Sequence, residues 1–183
     1  ANYKVKGPRA GNRPHLTSQE LPKFEAAVLE NEWDRADRIS GLFFIFSCYT
    51  GLRFADCKAF RSDLHILNKK RILLTMQKTE DPVSLLITPK IKWALSLIRE
   101  YEGKLPSNEE CNRALKLIAE KAKIKKHLSF HCARHTFGYM CAENNVPIEI
   151  TQKLMGHKSM KITQIYYHIS NANADQWMMK MQG

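Results

Sequence analysis

The chain has 183 residues, of which 44% are apolar; this suits one well-packed core and leaves little room for a second full domain. Its 29 Lys and Arg exceed its 18 Asp and Glu by 11 charges, which favours a polyanionic partner. No apolar run approaches the roughly 20 residues that span a bilayer, and the first residues given do not show the charged-then-apolar pattern of a secretory signal. We therefore expect a soluble cytoplasmic protein, not bound to a membrane, whose five Cys are reduced thiols.

Two clusters of basic residues concentrate the positive charge. One decorates the N-terminal tail and comprises Lys4, Lys6, Arg9 and Arg13. The other precedes a His-rich stretch and comprises Lys121, Lys123, Lys125 and Lys126. Both clusters are compatible with binding to a polyanion and equally with an ordinary solvated surface. The tail itself, residues 1–14, lacks apolar periodicity and contains Gly and Pro, which indicates a linker.

Capping signals mark most of the predicted helices. A residue that favours the N-cap position precedes a helical pattern at Thr17, Thr88, Ser107, Ser129 and Ser159. Thr17 and Ser107 are each followed three residues later by Glu, which is the capping-box spacing. The helix predicted over residues 34–49 is apolar along one face, and Gly51 is placed to end it in the left-handed conformation.

Two alternating segments predict a β-hairpin. Residues 71–77 and 83–87 place apolar side chains at every second position, and the turn sequence KTEDP joins them. Lys78 then lies at the tip of the hairpin, and a short strand near residues 65–67 would make the sheet three-stranded. The predicted fold class is therefore mainly α with a small antiparallel β-sheet (α+β).

One predicted helix carries three side chains suited to phosphate chemistry. His131, Arg134 and His135 are spaced i, i+3 and i+4, so they share a face. The planar fork of Arg134 suits two phosphate oxygens, and His131 can donate a hydrogen bond or exchange a proton beside it. Zinc bound by both His with Cys132 or Cys141 is the alternative, but the Glu of HExxH is absent and the adjacent Arg would repel a cation. His135 fits equally well as a hydrogen-bonded core residue.

Further candidate residues lie before and after this helix. Arg53 stands at a helix start between two apolar neighbours, and His157 directly follows a helix-ending glycine, where its side chain can project into a cleft. Tyr166 comes nine residues after His157, with Tyr167 beside it. Spacing alone does not choose between the two tyrosines, since packing is the common role of Tyr. We expect both on a short helix anchored by Ile162, Ile165 and Ile169.

The order and spacing of four short motifs resemble the catalytic domain of the tyrosine recombinases, or phage integrases. The motifs are TGLRFAD (residues 50–56), HCARH (131–135), LMGHKS (154–159) and Tyr166 nine places after His157. Lys78 in the sequence QKT adds a further match, and Lys69 and Lys70 are nearby alternatives. The resemblance covers about residues 15–170, and the pattern is similar to that of integrases of bacterial mobile elements.

By this resemblance, four residues would act on the scissile phosphate of DNA. Arg53 and Arg134 would hold it, while His131 and His157 would hydrogen-bond it or manage protons. Attack on a phosphodiester builds negative charge on its equatorial oxygens, and guanidinium and imidazole groups can stabilise that charge. The implied chemistry therefore uses no metal, no ATP and no other cofactor.

The resemblance also implies how the bond is exchanged. Tyr166 would be the nucleophile that forms a 3′-phosphotyrosyl bond, and Lys78 would protonate the leaving 5′-oxygen. Asp56 and His135 would support the site without touching the phosphate. The expected activity is site-specific DNA recombination, with a hydroxyl from another strand reversing the attack.

The implied partner is double-stranded DNA with specific recombination sites, bound by a homotetramer. The resemblance implies a catalytic domain over residues 15–170, a separate N-terminal DNA-binding domain joined through residues 1–14, and a C-terminal segment, residues 171–183, exchanged between protomers. The isolated chain is expected to be a monomer. Two alternatives remain open: a topoisomerase-like enzyme that cuts and reseals one strand by the same chemistry, and a noncatalytic DNA-binding relative.

Overall fold

The computed structural model, which describes residues 13–167 and 178–181, is mostly helical with one small sheet. Its helices are α1 (Glu20–Glu30), α2 (Arg35–Thr50), α3 (Phe54–Ala59), α4 (Ser62–His65), α5 (Pro89–Ile98), α6 (Asn108–Lys121), α7 (Phe130–Glu143), α8 (Ile148–Met155) and α9 (Met160–Thr163). Its strands are β1 (Ile66–Leu67), β2 (Arg71–Thr75) and β3 (Pro82–Leu86). Short 3-10 turns follow α5 and α9, at Arg99–Tyr101 and Gln164–Tyr166. The predicted fold class, mainly α with a small antiparallel sheet, is confirmed.

Helix α2 forms the centre of the core. It packs against α5, α6 and α7, and the side chains from Leu42 to Phe46 are at most 2% exposed. Burial on all sides requires an apolar sequence around the whole helix, which α2 has over this span. The helix ends at Gly51, whose φ of 69° is the left-handed conformation predicted for it. Arg53 emerges immediately after this cap.

The capping hydrogen bonds predicted near three helix starts are present, although at α1 the N-cap position is Gln19, two residues after Thr17. The N–H of Glu20 donates to Thr17 Oγ1 at 3.2 Å, and the N–H of Thr17 donates to Glu20 Oε2 at 2.9 Å. The same reciprocal pair joins Ser107 and Glu110 ahead of α6. At α5, Thr88 Oγ1 accepts a hydrogen bond from the N–H of Ile91 at 3.3 Å. Side chains near each helix start therefore satisfy backbone N–H groups of the first turn, close to the positions predicted from the sequence.

The sheet is antiparallel in the order β1-β2-β3, so the predicted hairpin and its short third strand are confirmed. Ile72 pairs with Leu85, and both point into the core, where they are 0% and 3% exposed. The connection from β2 to β3 is a turn that carries Lys78 into solvent. Core packing of one sheet face thus fixes the turn that presents this lysine.

Two predicted segments fall largely outside the described residues. Of the proposed linker, residues 1–14, only the last two positions are described. Of the proposed exchange segment, residues 171–183, only residues 178–181 are described, and they are helical. Among the described helices, none combines the length and the apolar character needed to cross a membrane.

Candidate active site

The predicted site residues come from four separate parts of the chain, and their charges act on one another. Partial desolvation of its ring and the positive charges of Arg134, Arg53 and Lys78 lower the pKa of His131, although the residue as a whole is exposed at the surface. Arg134 and Arg53 act in the same direction on His157. Since these residues come from a helix start, a hairpin turn, α7 and the end of α8, the fold assembles them from distant positions. The resulting site is strongly positive.

Arg134 holds this site together. Its side chain is only 1% exposed, and its guanidinium donates to the carbonyl oxygen of Gly51 at 2.6 Å and to that of Met155. These carbonyls lie next to the segments that carry Arg53 and His157, so one side chain on α7 fixes both. Burial and the charge of Arg53 lower the pKa of Arg134 to about 9, which leaves it a cation at neutral pH.

Asp56 links the start of α3 to the hairpin. Its carboxylate, 3% exposed, accepts a hydrogen bond from the N–H of Arg53 at 3.0 Å and another from the N–H of Gln77 at 2.8 Å. Gln77 immediately precedes Lys78, so the buried carboxylate sets the distance between the two cations. Arg53 itself is half-buried, and its Nη1 is buried without a hydrogen-bond partner among the described residues. A buried donor of this kind is stabilised by an oxyanion.

Tyr166 lies in a close-fitting pocket on α7. Its side chain is 4% exposed, and its Oη is 2.9 Å from Nδ1 of His135. Its ring packs on Gly138, where an added Cβ would come within 2.6 Å of Tyr166 Cε2. The ring of Tyr139 meets it edge-on at a centroid distance of 5.3 Å. Glycine at 138 is therefore required for the tyrosine ring to lie against the helix.

The resting site keeps both members of the Tyr166–His135 pair neutral. Burial raises the pKa of Tyr166 to about 12, although the charge of Arg134 opposes this effect. Burial, with a further contribution from His131, lowers the pKa of His135 to about 3. At neutral pH the phenol can therefore donate to the unprotonated Nδ1 of His135 when the imidazole proton is on Nε2. The rings of His131 and His135 also meet edge to face at 4.5 Å, but His131 is exposed.

His157 lines a cavity, as its position after Gly156 suggested, but most of its surface is buried. It is 8% exposed, and its Nδ1 is 2.9 Å from Oγ1 of Thr163. Burial, followed by the charge of Arg134, lowers the pKa of His157 to about 3. The hydrogen bond to Thr163 fixes the ring orientation and leaves Nε2 as the remaining polar atom of the imidazole.

The two neighbouring tyrosines have different environments. Oη of Tyr167 donates to the carbonyl oxygen of Val146 at 2.7 Å and lies 2.5 Å from Oγ1 of Thr151. The hydroxyl of Tyr167 thus bonds to α8 and to the residue just before Pro147. The arginines of the site, by contrast, oppose the rise in the pKa of Tyr166 that burial causes. The prediction that Ile162 anchors this segment is wrong, because Ile162 is 48% exposed. Ile165 is half-buried, and Ile169 lies outside the described residues.

The predicted lysine cluster divides into two kinds of residue. Lys121, Lys123 and Lys125 are exposed. Nζ of Lys126 instead donates to Glu20 Oε2 at 2.5 Å and to the carbonyl oxygen of His15 at 3.0 Å. Lys126 therefore joins the segment that follows α6 to His15 and to the start of α1. For the alternative zinc site, no three His, Cys, Asp or Glu side chains converge as metal ligands within residues 13–167 and 178–181.

Two residues that shape the site were missed in the sequence. Gly138 could have been suspected, because a glycine inside a predicted helix often marks a close packing contact. Thr163 carried no such signal, since a threonine six residues after His157 is unremarkable in any exposed turn. Its importance follows only from the fold, which buries it completely beside the imidazole.

Because His135 and His157 are buried as neutral imidazoles, we expect the free energy of unfolding to fall in acid. In the unfolded chain both pKa values return to about 6.5, so below that pH the unfolded state binds more protons and the free energy of unfolding falls. We expect the loss between about pH 6.5 and pH 4 to be on the order of 3 kcal/mol for each imidazole. Urea denaturation across this range would measure it in the wild type, His135→Asn and His157→Asn.

The control for this prediction is His127→Asn, because His127 is exposed. This variant should follow the wild-type pH dependence, whereas each buried-site variant should show a shallower one. Equal slopes in all four proteins would mean that neither buried imidazole resists protonation.

This chain is similar in sequence to one protein family and to several curated recombinases. Residues 15–173 match the model of the phage integrase family. A tyrosine recombinase of Agathobacter rectalis is 37% identical over 68 residues, which cover 37% of this chain and 22% of that protein. The tyrosine recombinase XerD of Staphylococcus aureus strain Mu50 is 33% identical over 76 residues, which cover 42% of this chain and 26% of XerD. The matched regions thus span about a quarter of the length of these curated relatives.

Solved structures share the fold at low sequence identity. The Tn1549 transposon integrase in complex with transposon right end DNA gives a TM-score of 0.74 at 14% identity, covering 94% of this chain and 68% of that one. The XerH site-specific recombinase bound to its difH substrate gives a TM-score of 0.72 at 18% identity, covering 90% of this chain and 53% of that one.

Proposed function

Because this chain belongs to the phage integrase family, we propose that it is the catalytic domain of a site-specific DNA recombinase acting through a 3′-phosphotyrosyl intermediate. One observation carries the proposal: the buried hydroxyl of Tyr166 lies in the field of three arginines, Arg134, Arg13 and Arg53, and Arg53 has a buried donor without a partner among the described residues. A phosphodiester bound between Arg53 and Arg134 would meet the nucleophile and the charge-stabilising groups together. This arrangement suits in-line attack on phosphorus.

The guanidinium groups supply most of the transition-state stabilisation in this proposal. Arg134 uses one N–H on each terminal nitrogen for backbone carbonyls, so its remaining N–H groups are available to phosphate oxygens. Arg53 contributes its unpartnered Nη1, and His131 is exposed at the rim. Each positioned donor of this type is typically worth about 3 kcal/mol of barrier, or roughly a hundredfold or more in rate.

The proton and bond changes balance within the side chains present. Oη of Tyr166 forms a bond to phosphorus while the bond from phosphorus to the 5′-oxygen breaks. The phenolic proton is released to water as Oη attacks, Nδ1 of His135 accepts the hydrogen bond that orients the phenol beforehand, and the ammonium of Lys78 protonates the leaving 5′-oxygen. Attack by a 5′-hydroxyl from another strand reverses these steps. Because the phosphotyrosyl bond conserves the energy of the phosphodiester, rejoining needs no ATP.

DNA contacts outside the site are assigned to the exposed lysines. Lys121, Lys123 and Lys125 would follow the phosphate backbone, and Lys126 would contact a phosphate only by exchanging its ion pair with Glu20 for it. XerH and the Tn1549 integrase are each found on DNA, which supports DNA as the partner of this chain. A homotetramer on paired recombination sites, with residues 171–183 exchanged between protomers, completes the proposal.

Covalent trapping on a randomised DNA pool tests the proposed chemistry. Duplexes with random sequence around a nick would be incubated with the chain and then denatured in detergent. We expect a subset of sequences to be recovered as denaturation-resistant protein adducts, equally with and without EDTA. Sequencing these adducts gives a defined duplex for every later assay. Binding of the pool without any adduct would instead support the noncatalytic alternative.

A plasmid test separates recombination from strand resealing. A supercoiled plasmid with two copies of the selected duplex would be incubated with the full-length protein. Recombinant products are the expected result. Relaxation without any recombinant would favour the topoisomerase-like alternative, which uses the same bond chemistry within one strand.

If Lys78 is the general acid, the effect of replacing it on the rate of adduct formation should depend on the leaving group of the DNA. Lys78→Ala should slow adduct formation about 100-fold or more on the normal duplex, because the 5′-oxygen then leaves without a proton. On a duplex in which sulfur replaces that oxygen, the thiolate leaves readily unprotonated, so the variant should react within about threefold of wild type. Lys69→Ala and Lys70→Ala remove exposed lysines of the preceding turn and serve as controls on both duplexes. Equal slowing of Lys78→Ala on both would show that this lysine only binds DNA.

A further inference from the structure

Residues 13–17, which we call the strap, lie across α7 next to the proposed nucleophile. Leu16 is 1% exposed, and its N–H donates to Oγ1 of Thr136 at 2.9 Å. The carbonyl oxygen of His15 accepts the hydrogen bond from Lys126. Backbone and side-chain contacts thus hold the strap on both sides, although it belongs to no helix or strand.

A chain of ring contacts runs from the strap to Tyr166. The imidazole of His15 stacks on the ring of Tyr139 with a centroid distance of 3.7 Å and an interplanar angle of 18°. Tyr139 in turn meets Tyr166 at 5.3 Å and 78°. Tyr166 is therefore bounded by His135 through its hydroxyl and by Tyr139 along its ring, and the strap stacks on this second boundary. Aromatic pairs at such distances contribute beyond their buried area.

The strap also adds positive charge to the site. Arg13, at its N-terminal end, is exposed, and its charge opposes the effect of burial on the pKa of Tyr166. The same charge acts on His135 and His131. Arg13 therefore adds to the positive field at these three site residues, as Arg134 does.

We propose that the strap positions the nucleophile, with His15 acting through Tyr139 to hold the ring of Tyr166 at the angle required for attack. In-line phosphoryl transfer depends strongly on this angle, and small displacements of a reacting group lower the rate substantially. The positional link stands on the ring contacts alone, whereas its effect on catalysis rests on the proposed function. His15 and Tyr139 are thus positioning residues.

Fluorine NMR tests the positional link without DNA. The chain would be labelled with 3-fluorotyrosine, and the Tyr166 signal assigned by its loss in Tyr166→Phe. His15→Ala should move this signal, and His15→Phe, which restores a flat ring against Tyr139, should return it to the wild-type position. His127→Ala removes an exposed imidazole elsewhere and should leave it unchanged. An unmoved Tyr166 signal in His15→Ala overturns the proposal.

Single-turnover kinetics test the catalytic consequence on the duplex selected from the random pool. At saturating DNA, His15→Ala should form the adduct about three- to tenfold more slowly, which matches the usual worth of an aromatic contact. The DNA concentration for half-maximal rate and the final amplitude should stay at wild-type values, because lost folding would lower the amplitude and a lost DNA contact would raise that concentration. His15→Phe should recover the rate.

The two proposals fail in different ways. If wild type forms no adduct while His15→Ala still moves the Tyr166 signal, the proposed function falls and the positional link stands. If wild type reacts and His15→Ala reacts equally fast, the strap has no positioning role in catalysis.

Discussion

Replacing Tyr166 by Phe is expected to abolish the covalent DNA adduct, whereas Tyr167→Phe should form it at a rate within about threefold of wild type. Tyr166 provides the only atom in this proposal that bonds to phosphorus, so removing Oη reduces the reaction to background. Tyr167 lacks that role because its hydroxyl is engaged by Val146 and Thr151. Its loss should instead lower stability by about 1 kcal/mol. Gel analysis of trapped adducts measures the first effect, and thermal unfolding measures the second.

Each tyrosine variant is the matched control for the other. Both substitutions remove one hydroxyl from the same short segment, so a general disturbance of that segment would affect both adduct yields. Mass spectrometry of the adduct digested to peptides should place the nucleotide on Tyr166. An adduct that survives in Tyr166→Phe and disappears in Tyr167→Phe would reverse the assignment.

The parts of the fold governed by local chemistry could be predicted from the sequence. The capping pairs at Thr17 and Ser107 involve residues three apart, so the same atoms that signal the helix also form its first hydrogen bonds. The hairpin followed from alternation, because a two-residue period places one face in the core. This was enough to put Lys78 at a turn. It was not enough to place the turn beside Arg53.

Contacts between distant residues could not be predicted in this way. Arg134 is held by carbonyls 83 and 21 residues away, and His135 meets a tyrosine 31 residues away. Helical spacing put His131 and His135 on one face, yet only His135 is buried, because the depth of a side chain depends on what packs over it. Without such contacts, the sequence supplied candidate residues, and family resemblance supplied their roles.

Tertiary contacts explain two departures from simple sequence patterns. Lys126 looked like its neighbours in a basic run, but Glu20, which begins α1, lies close enough to bind it. The apolar spacing of Ile162 suggested an anchor, whereas the short α9 buries Thr163 and leaves Ile162 at the surface. In both cases the partner that decides the outcome is brought in by tertiary structure.

Arg134→Lys is expected to lower both the rate of adduct formation and the stability of the domain. Lysine keeps the charge but has no planar fork, so it cannot serve two backbone carbonyls and a phosphate at once. We expect adduct formation to slow by about 1000-fold, in line with the loss of a positioned donor at a developing charge. The buried carbonyls of Gly51 and Met155 lose their donors, so the free energy of unfolding should fall by about 3 kcal/mol.

Arg53→Lys separates these two effects. Arg53 is half-buried and has an unpartnered Nη1, so its loss should slow the reaction strongly while costing about 1 kcal/mol or less of stability. Arg113→Lys alters an exposed arginine on α6 and should change neither quantity. Single-turnover rates and urea denaturation of the three variants make the comparison. If Arg53→Lys destabilised the domain as much as Arg134→Lys does, the two arginines would share one structural role, and the separate structural role given to Arg134 would be wrong.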